Sequence, residues 1–112
     1  MVCLVLSLVF TGIAFSANAK KHHPRHPGIP HFRQWVCIHN GEGAWNANTG
    51  NGYYGGLQMD RSFQHTYGHR YYHRRGTANH WTPREQMLAA ERAWKTRGFY
   101  PWPTTARACG LI

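Results

Sequence analysis

The chain has 112 residues, a length that suits a single small domain and excludes a multidomain enzyme. Its 13 lysines and arginines outnumber four acidic residues and give a formal net charge of +9. Such a charge favours anionic partners, namely nucleic acid, anionic lipid or anionic wall polymers, and does not choose among them.

Residues 1–19 have the pattern of a secretory signal peptide. Met1 to Phe15 is almost wholly apolar, and Ser16-Ala17-Asn18-Ala19 supplies small residues at a cleavage site. The apolar run is shorter than the roughly 20 residues that a membrane-spanning helix needs, so a membrane anchor is disfavoured. Export argues against nucleic acid as the working partner, and we expect no stable membrane insertion after cleavage.

Residues 20–31 predict a basic Pro/His-rich linker, followed by a folded domain over 32–112. Three prolines and one glycine in this segment exclude a regular helix or strand. Its four histidines raise the hypothesis of a metal site: His22, His23, His26 and His31. Because an extended tether does not hold ligands in a fixed geometry, a solvated linker is favoured and we expect no metal site.

The first half of the folded part predicts two short helices around a β-hairpin. Apolar spacing predicts a helix over 32–40, which Gly41 would end, leaving Glu42 at the helix exit. Asn51-Gly52, flanked by Thr and Tyr residues, predicts a hairpin over 48–58. Asp60 would then cap a helix that ends before Gly68.

The second half predicts a basic loop, one long helix and a final helical turn. Residues 69–79 are polar and irregular, which indicates a surface loop. Thr82-Pro83-Arg84-Glu85 is a capping box that would begin a helix ending at Gly98. Residues 104–109 would form the last turn. The sum is an α+β domain that is mostly α, with a minor β-hairpin.

The two cysteines of the folded part, Cys37 and Cys109, predict one disulfide in an exported protein. Cys3 lies in the predicted signal peptide. Closing so long a loop contributes about 4 kcal/mol in the chain-entropy model, which matters for so small a domain. Two free buried thiols remain the alternative.

Glu42 is the candidate catalytic residue because it lies between two glycines, close to Trp45, in a chain with few acids. A carboxyl group against aromatic rings can stay protonated and act as a general acid. A surface or capping carboxylate is the alternative. Asp60 is the only candidate for a second acid, and helix capping accounts for it. A single acid favours chemistry in which an N-acetyl sugar supplies its own nucleophile.

Aromatic side chains in this part of the chain suit stacking on sugar rings. Trp45 and Trp81 are predicted to bind substrate in this way, although each could equally belong to the core. Tyr53, Tyr54 and Trp102 are open to the same two interpretations.

Two segments resemble the catalytic core of the resuscitation-promoting-factor and transglycosylase-like family. They are Trp35-Val-Cys-Ile-His-Asn-Gly-Glu42-Gly-Ala-Trp45 and Thr49-Gly-Asn-Gly-Tyr-Tyr-Gly-Gly-Leu-Gln58. The resemblance implies a small lysozyme-like domain over 32–112. It matches Glu42 to the family's catalytic glutamate and Trp45 to the tryptophan behind that acid. It also matches three residues to positions that line the glycan cleft: Thr49, Tyr54 and Gln58.

The spacing after the acid departs from the family pattern. Only Gly43 and Ala44 separate Glu42 from Trp45, where the family often has four residues. We place the gap after Glu42 because the distance from Cys37 then fits. An ungapped alignment would put Asn40 at the acid's position, and an amide cannot act as an acid.

The resemblance implies a secreted or wall-bound enzyme that cleaves the β-1,4 bond between N-acetylmuramic acid and N-acetylglucosamine in peptidoglycan. Either a lytic transglycosylase or a muramidase would fit. We expect a monomer that needs no cofactor, with glycan strands and other wall hydrolases as partners. A non-catalytic wall-binding module is the alternative function. A membrane-active cationic protein ranks last because no long basic amphipathic helix is present.

Overall fold

The structure is a computed structural model that describes residues 26–112 and Gly12. Within residues 26–112, five α-helices follow one another, with a short 3₁₀ turn at Ala78–His80 before the fourth. They are α1 Phe32–Glu42, α2 Arg61–Tyr67, α3 His69–Arg75, α4 Pro83–Arg97 and α5 Pro103–Ala108. The domain is therefore mostly helical, as predicted. None of the described helices is long and apolar enough to cross a membrane.

Residues 43–59 form a glycine-rich loop that contains no regular strand. Two isolated antiparallel bridges join Tyr54 to Asn48 and to Met59. The predicted β-hairpin over 48–58 is therefore not confirmed, because the backbone closes single bridges without extending them into a ladder. The loop instead gains its support from side chains of the helices around it.

Helix α1 extends two residues beyond its predicted end. Gly41 lies inside the helix, and Gly43 ends it by donating its backbone N–H to the carbonyl of His39. Gly41 is needed for another reason: a Cβ at this position would lie 2.6 Å from Cγ2 of Thr105 in α5. The glycine that looks like a stop signal is a site of close helix packing.

Local capping signals predict α2 and α4 correctly. Asp60 accepts a hydrogen bond from the backbone N–H of Phe63, and Gly68 ends α2. Thr82 and Glu85 form both bonds of the capping box at the start of α4, which ends at Gly98. These residues satisfy backbone groups that a helix end leaves without partners.

The basic segment predicted as a loop over 69–79 contains α3 and the 3₁₀ turn. Two tyrosines hold this short helix against the domain, because Tyr71 contacts the edge of Trp81 and Tyr72 packs on His65. Arg75 in its last turn forms an ion pair with Glu85. Aromatic packing therefore offsets the charge repulsion that makes the sequence look irregular.

Residues 26–31 pack on the helical domain, although the sequence assigns them to the linker. Ile29 is only 3% exposed and belongs to the core, and His26 stacks on Phe32 with ring centroids 3.5 Å apart. The packed structure thus begins before the predicted boundary at Phe32. Residues 20–25 and the predicted signal peptide lie outside the described residues, apart from Gly12.

Glu91 ties this segment to α1 and α4. Its Oε1 accepts bonds from the backbone N–H of His31 at 2.8 Å and from the indole N–H of Trp35 at 2.9 Å. The second carboxylate oxygen lies 2.9 Å from Nδ1 of His31. A buried carboxylate is tolerated here because each oxygen has a partner.

The Cys37–Cys109 disulfide forms as predicted and joins α1 to the end of α5 across 72 residues. Its Cα atoms are 6.1 Å apart.

We expect replacement of both cysteines by serine to lower the free energy of unfolding by about 4 kcal/mol, because the unfolded chain gains the freedom of the opened loop. Urea unfolding of the double variant and of the parent chain measures the difference. The parent chain under reducing conditions is the control and should match the variant. An unchanged transition midpoint would show that the crosslink does not constrain the unfolded chain.

Candidate functional site

Glu42 is the last residue of α1 and is half-buried. Its Oε1 accepts a 2.7 Å hydrogen bond from the hydroxyl of Thr105 in α5. The hydroxyl also lies 3.4 Å from the carbonyl oxygen of Trp102, but it has one proton and the bond to Glu42 is the shorter. One carboxyl oxygen is therefore held in place, and the orientation of the other is fixed with it.

The position of Thr105 follows from the packing of α1 on α5. Cys37 and Gly41 are one helical turn apart on α1, and Thr105 and Cys109 are one turn apart on α5. The disulfide joins the outer pair, and the inner pair meets because glycine has no side chain. Glu42, adjacent to Gly41, thereby reaches the Thr105 hydroxyl.

The buried side chain of Gln86 fixes the glycine-rich loop beside Glu42. Its Oε1 accepts a 2.8 Å bond from the backbone N–H of Gly56. Its Nε2 donates to the carbonyl oxygens of Trp45 at 2.8 Å and Trp81 at 3.1 Å. Gln86 is fully buried, so these bonds are shielded from water.

Trp45 packs inside the loop on protein groups. Its ring stacks on His39 with centroids 3.8 Å apart and an interplanar angle of 16°. It also covers Gly56, where an added Cβ would lie 2.4 Å from the indole. His39 Nδ1 donates to the Gly56 carbonyl at 3.1 Å. Because Gly56 has no side chain, the rings of Trp45 and His39 can pack directly against its backbone.

The three predicted cleft residues all lie on the glycine-rich loop. Thr49 is exposed, and Tyr54 is half-buried with its hydroxyl accepting a bond from Arg61 at 3.3 Å. That bond raises the pKa of the Arg61 guanidinium further above its ordinary value. Gln58 donates from Nε2 to the Gly55 carbonyl at 3.0 Å.

Gln58 has a strained backbone, with a φ of 48° that non-glycine residues seldom adopt. Its amide nitrogen would lie 3.6 Å from a Cβ placed on Gly43, so it reaches the residue next to Glu42. Strain of this kind is often found where a side chain must be aimed at a site.

Trp81 belongs to the core, which corrects its prediction as a substrate-binding residue. It is 3% exposed, and its indole N–H donates to the Gly76 carbonyl at 2.9 Å. A Cβ added to Gly68 would lie only 2.3 Å from the indole ring of Trp81. A ring covered in this way has no face to offer a sugar. Trp102 is buried as well, with 4% of its surface exposed.

A cavity of about 320 Å³ lies between the glycine-rich loop, α2 and the end of α4. Gln58 and Trp102 form part of its wall. The amide nitrogen of Gln58 would lie 3.6 Å from a Cβ placed on Gly43, and the carbonyl oxygen of Trp102 lies 3.4 Å from the Thr105 hydroxyl. Two residues of the cavity wall therefore approach the neighbours of Glu42, although Glu42 itself does not line the cavity.

Metal binding has no support among residues 26–112. No group of three or more histidine, cysteine or acidic side chains there could hold a metal ion. His26 and His31, two of the histidines in the metal hypothesis, contact Phe32 and Glu91. His22 and His23 lie outside the described residues.

Sequence reasoning missed Thr105, although a signal for it exists. Once Cys37 and Cys109 are paired between two helices, the residues one turn inward face each other, and these are Gly41 and Thr105. No local motif marks Gln86, whose partners are 5 to 41 residues away in sequence.

A family model described as a transglycosylase-like domain matches residues 33–105. Resuscitation-promoting factor Rpf1 of Corynebacterium glutamicum is 36% identical over 107 residues, which cover 93% of this chain and 53% of that protein. The chain therefore spans about half the length of this curated relative. The family match covers well over half of the chain, so the chain belongs to the transglycosylase-like domain family, and the resemblance drawn from the sequence is confirmed.

We expect Gly41→Ala to destabilise the domain by about 1–3 kcal/mol, because its Cβ would overlap Cγ2 of Thr105. In a Thr105→Ser background that methyl group is absent, and the same change should stabilise the helix by up to about 1 kcal/mol. Urea unfolding of the parent chain, the two single variants and the double variant measures both changes in the free energy of unfolding. An equal effect of Gly41→Ala in both backgrounds would show that the two residues do not pack against each other.

Proposed function

We propose that the protein is a secreted, peptidoglycan-cleaving glycosidase in which Glu42 is the proton donor. The substrate would be the β-1,4 bond between N-acetylmuramic acid and N-acetylglucosamine. The observation that carries the proposal is the Glu42 carboxyl group, held by Thr105 beside the glycine-rich loop in a chain of the transglycosylase-like family. The lysozyme-like architecture implied by the resemblance is part of this proposal.

The other carboxylates support a mechanism with a single acid. Asp60 caps α2, and Glu85 completes the capping box of α4 and pairs with Arg75. Glu91 is buried in its bonds to His31 and Trp35. Each of the three has a structural task, so none is a natural partner for Glu42 in the two-carboxylate pattern of most glycosidases.

In the proposed reaction, Glu42 donates its proton to the oxygen that links the two sugars. The bond to the muramic C1 breaks, and the N-acetylglucosamine fragment leaves with that proton. Glu42, now ionised, takes a proton either from the 6-hydroxyl of the muramic acid or from water. The first route closes a 1,6-anhydro ring, and the second adds water.

The Thr105 bond suits this role because it constrains the rotation of the carboxyl group. With Oε1 accepting the threonine hydroxyl, Oε2 remains the oxygen to carry and deliver the proton. A fixed donor lowers the entropic cost of reaching the reacting geometry. Thr49, Tyr54 and Gln58 are the polar residues of the loop that we propose bind the glycan.

Export and a wall location form part of the same proposal. They are supported by the signal-peptide pattern of residues 1–19 and by the excess of basic residues, which suits an anionic wall. The named relative, a resuscitation-promoting factor, is about twice as long. We propose that the chain acts as a monomer on glycan strands, together with other wall hydrolases.

We expect Glu42→Gln to reduce the release of soluble fragments from purified peptidoglycan by at least about 100-fold, because the amide cannot donate the proton. Mass spectrometry of the fragments measures the loss and identifies the product, since the anhydro and hydrated forms differ by one water. Asp60→Asn, which keeps a helix cap, should reduce the release of soluble fragments far less. Equal release by the parent chain and Glu42→Gln would exclude Glu42 as the proton donor, and no release by either would leave a non-catalytic wall-binding module as the function.

We expect Thr105→Val to lower kcat by about tenfold with little change in KM, because the isosteric side chain no longer holds the carboxyl group. Thr105→Ser retains the hydroxyl and is the matched control, so its kcat should stay near that of the parent chain. Initial rates on soluble glycan fragments separate kcat from KM. If serine and valine reduced kcat equally, the hydroxyl would have no positioning role.

A further inference from the structure

Arg97 lines the cavity whose wall includes Gln58 and Trp102. It lies in the last turn of α4, and its guanidinium is 6.0 Å from the centre of the Phe63 ring. Phe63 and Trp102 are the buried aromatic residues of the cavity wall, and Ser62 and Thr66 add hydroxyl groups. The cavity therefore combines a cation, apolar surface and hydrogen-bonding groups.

No carboxylate in the described part of the chain pairs with Arg97. Glu91 pairs with His31, and Glu85 pairs with Arg75. Asp60 also lines the cavity, but its Oδ1 caps α2 through the N–H of Phe63. The dipole of α4 favours a cation in the last turn, which explains the charge but not its position on a cavity wall.

A guanidinium with no anionic partner fits a carboxylate or a phosphate, which it can bind through two parallel N–H bonds. The position of the cavity selects between these sources. Gln58 lines the cavity, and its amide nitrogen would lie 3.6 Å from a Cβ placed on Gly43, the residue after Glu42. We therefore take the cavity as the place that receives the substituents of a glycan bound at Glu42. The anionic substituent of a peptidoglycan strand is its peptide, which carries free carboxylates.

We propose that this cavity binds a free carboxylate of the peptide attached to the glycan strand, with Arg97 as its partner. The inference rests on the proposed function, because it takes the peptidoglycan strand as the ligand. It adds that the substrate is peptide-bearing glycan and that the protein distinguishes free carboxylates from amidated ones. Arg97 is then a specificity-determining residue.

The test measures binding, so that it does not depend on cleavage. In a Glu42→Gln background, calorimetry compares two soluble disaccharide-peptides that differ only in having free or amidated peptide carboxylates. We expect Arg97→Gln to weaken binding of the free-acid form by about tenfold, the effect of losing one charge-assisted contact, and of the amidated form by less than about twofold. Lys95→Gln removes the same charge from the same helix outside the cavity, and it should leave the affinity for both disaccharide-peptides unchanged.

Four results would overturn the inference. One is equal weakening of both ligands by Arg97→Gln, another is an equal effect of Lys95→Gln, and a third is no binding of either ligand. The fourth comes from a parallel measurement with polyglycerol phosphate: if Arg97→Gln weakens only the binding of that ligand, the site binds phosphate and not a peptide carboxylate. Cleavage of purified peptidoglycan by the protein with Glu42 intact is measured separately, so that failure of the proposed activity is distinguishable from failure of carboxylate recognition.

Discussion

Helices α1 and α5 are held together at two levels, one helical turn apart. At the outer level the Cys37–Cys109 disulfide joins them covalently, and at the inner level Gly41 lets Thr105 approach the α1 backbone. The hydrogen bond from Thr105 to Glu42 exists only because both levels set the same register. The candidate acid is thus oriented by a helix pair and not by a loop, which limits the motion available to it.

The charge distribution of the domain depends on the structural roles of its four acidic side chains. Three of the four carboxylates cap helices or bind buried donors, and Glu85 among them also pairs with Arg75, so most of the basic residues have no acidic counterpart in the sequence. This arrangement leaves a strongly cationic surface and one carboxyl group, that of Glu42, which neither caps a helix nor forms an ion pair within the described residues. A cationic surface raises the local concentration of an anionic polymer, and in the proposed mechanism the Glu42 carboxyl group supplies the proton. The charge balance and the proposed mechanism therefore have a common origin in the scarcity of acids.

Local rules predict much of this fold, and they fail where tertiary contacts override them. The caps at Asp60 and Thr82 depend on residues three positions away, so the sequence reveals α2 and α4. Gly41 predicts a helix end wrongly because its role is to let Thr105, more than 60 positions later, pack against α1. The basic helix α3 looks like a loop because its stability comes from tyrosines packed on distant rings. For the site, motif resemblance singles out Glu42, but Thr105 and the burial of Trp81 depend on how the helices assemble.

Buried polar side chains support the region around Glu42 where the apolar core is small. Gln64 bonds both Met59 and Ala78, Gln86 bonds the glycine-rich loop, and Glu91 bonds the start of α1. Among the described residues, every buried side-chain nitrogen and oxygen has a partner. Such bonds are directional, so they define one position for a loop that lacks regular strands, whereas apolar packing alone would permit several. The loop can then carry exposed polar residues and a strained Gln58 without losing its shape. In this domain, rigidity near Glu42 comes from satisfied amide and carboxylate groups, together with one disulfide.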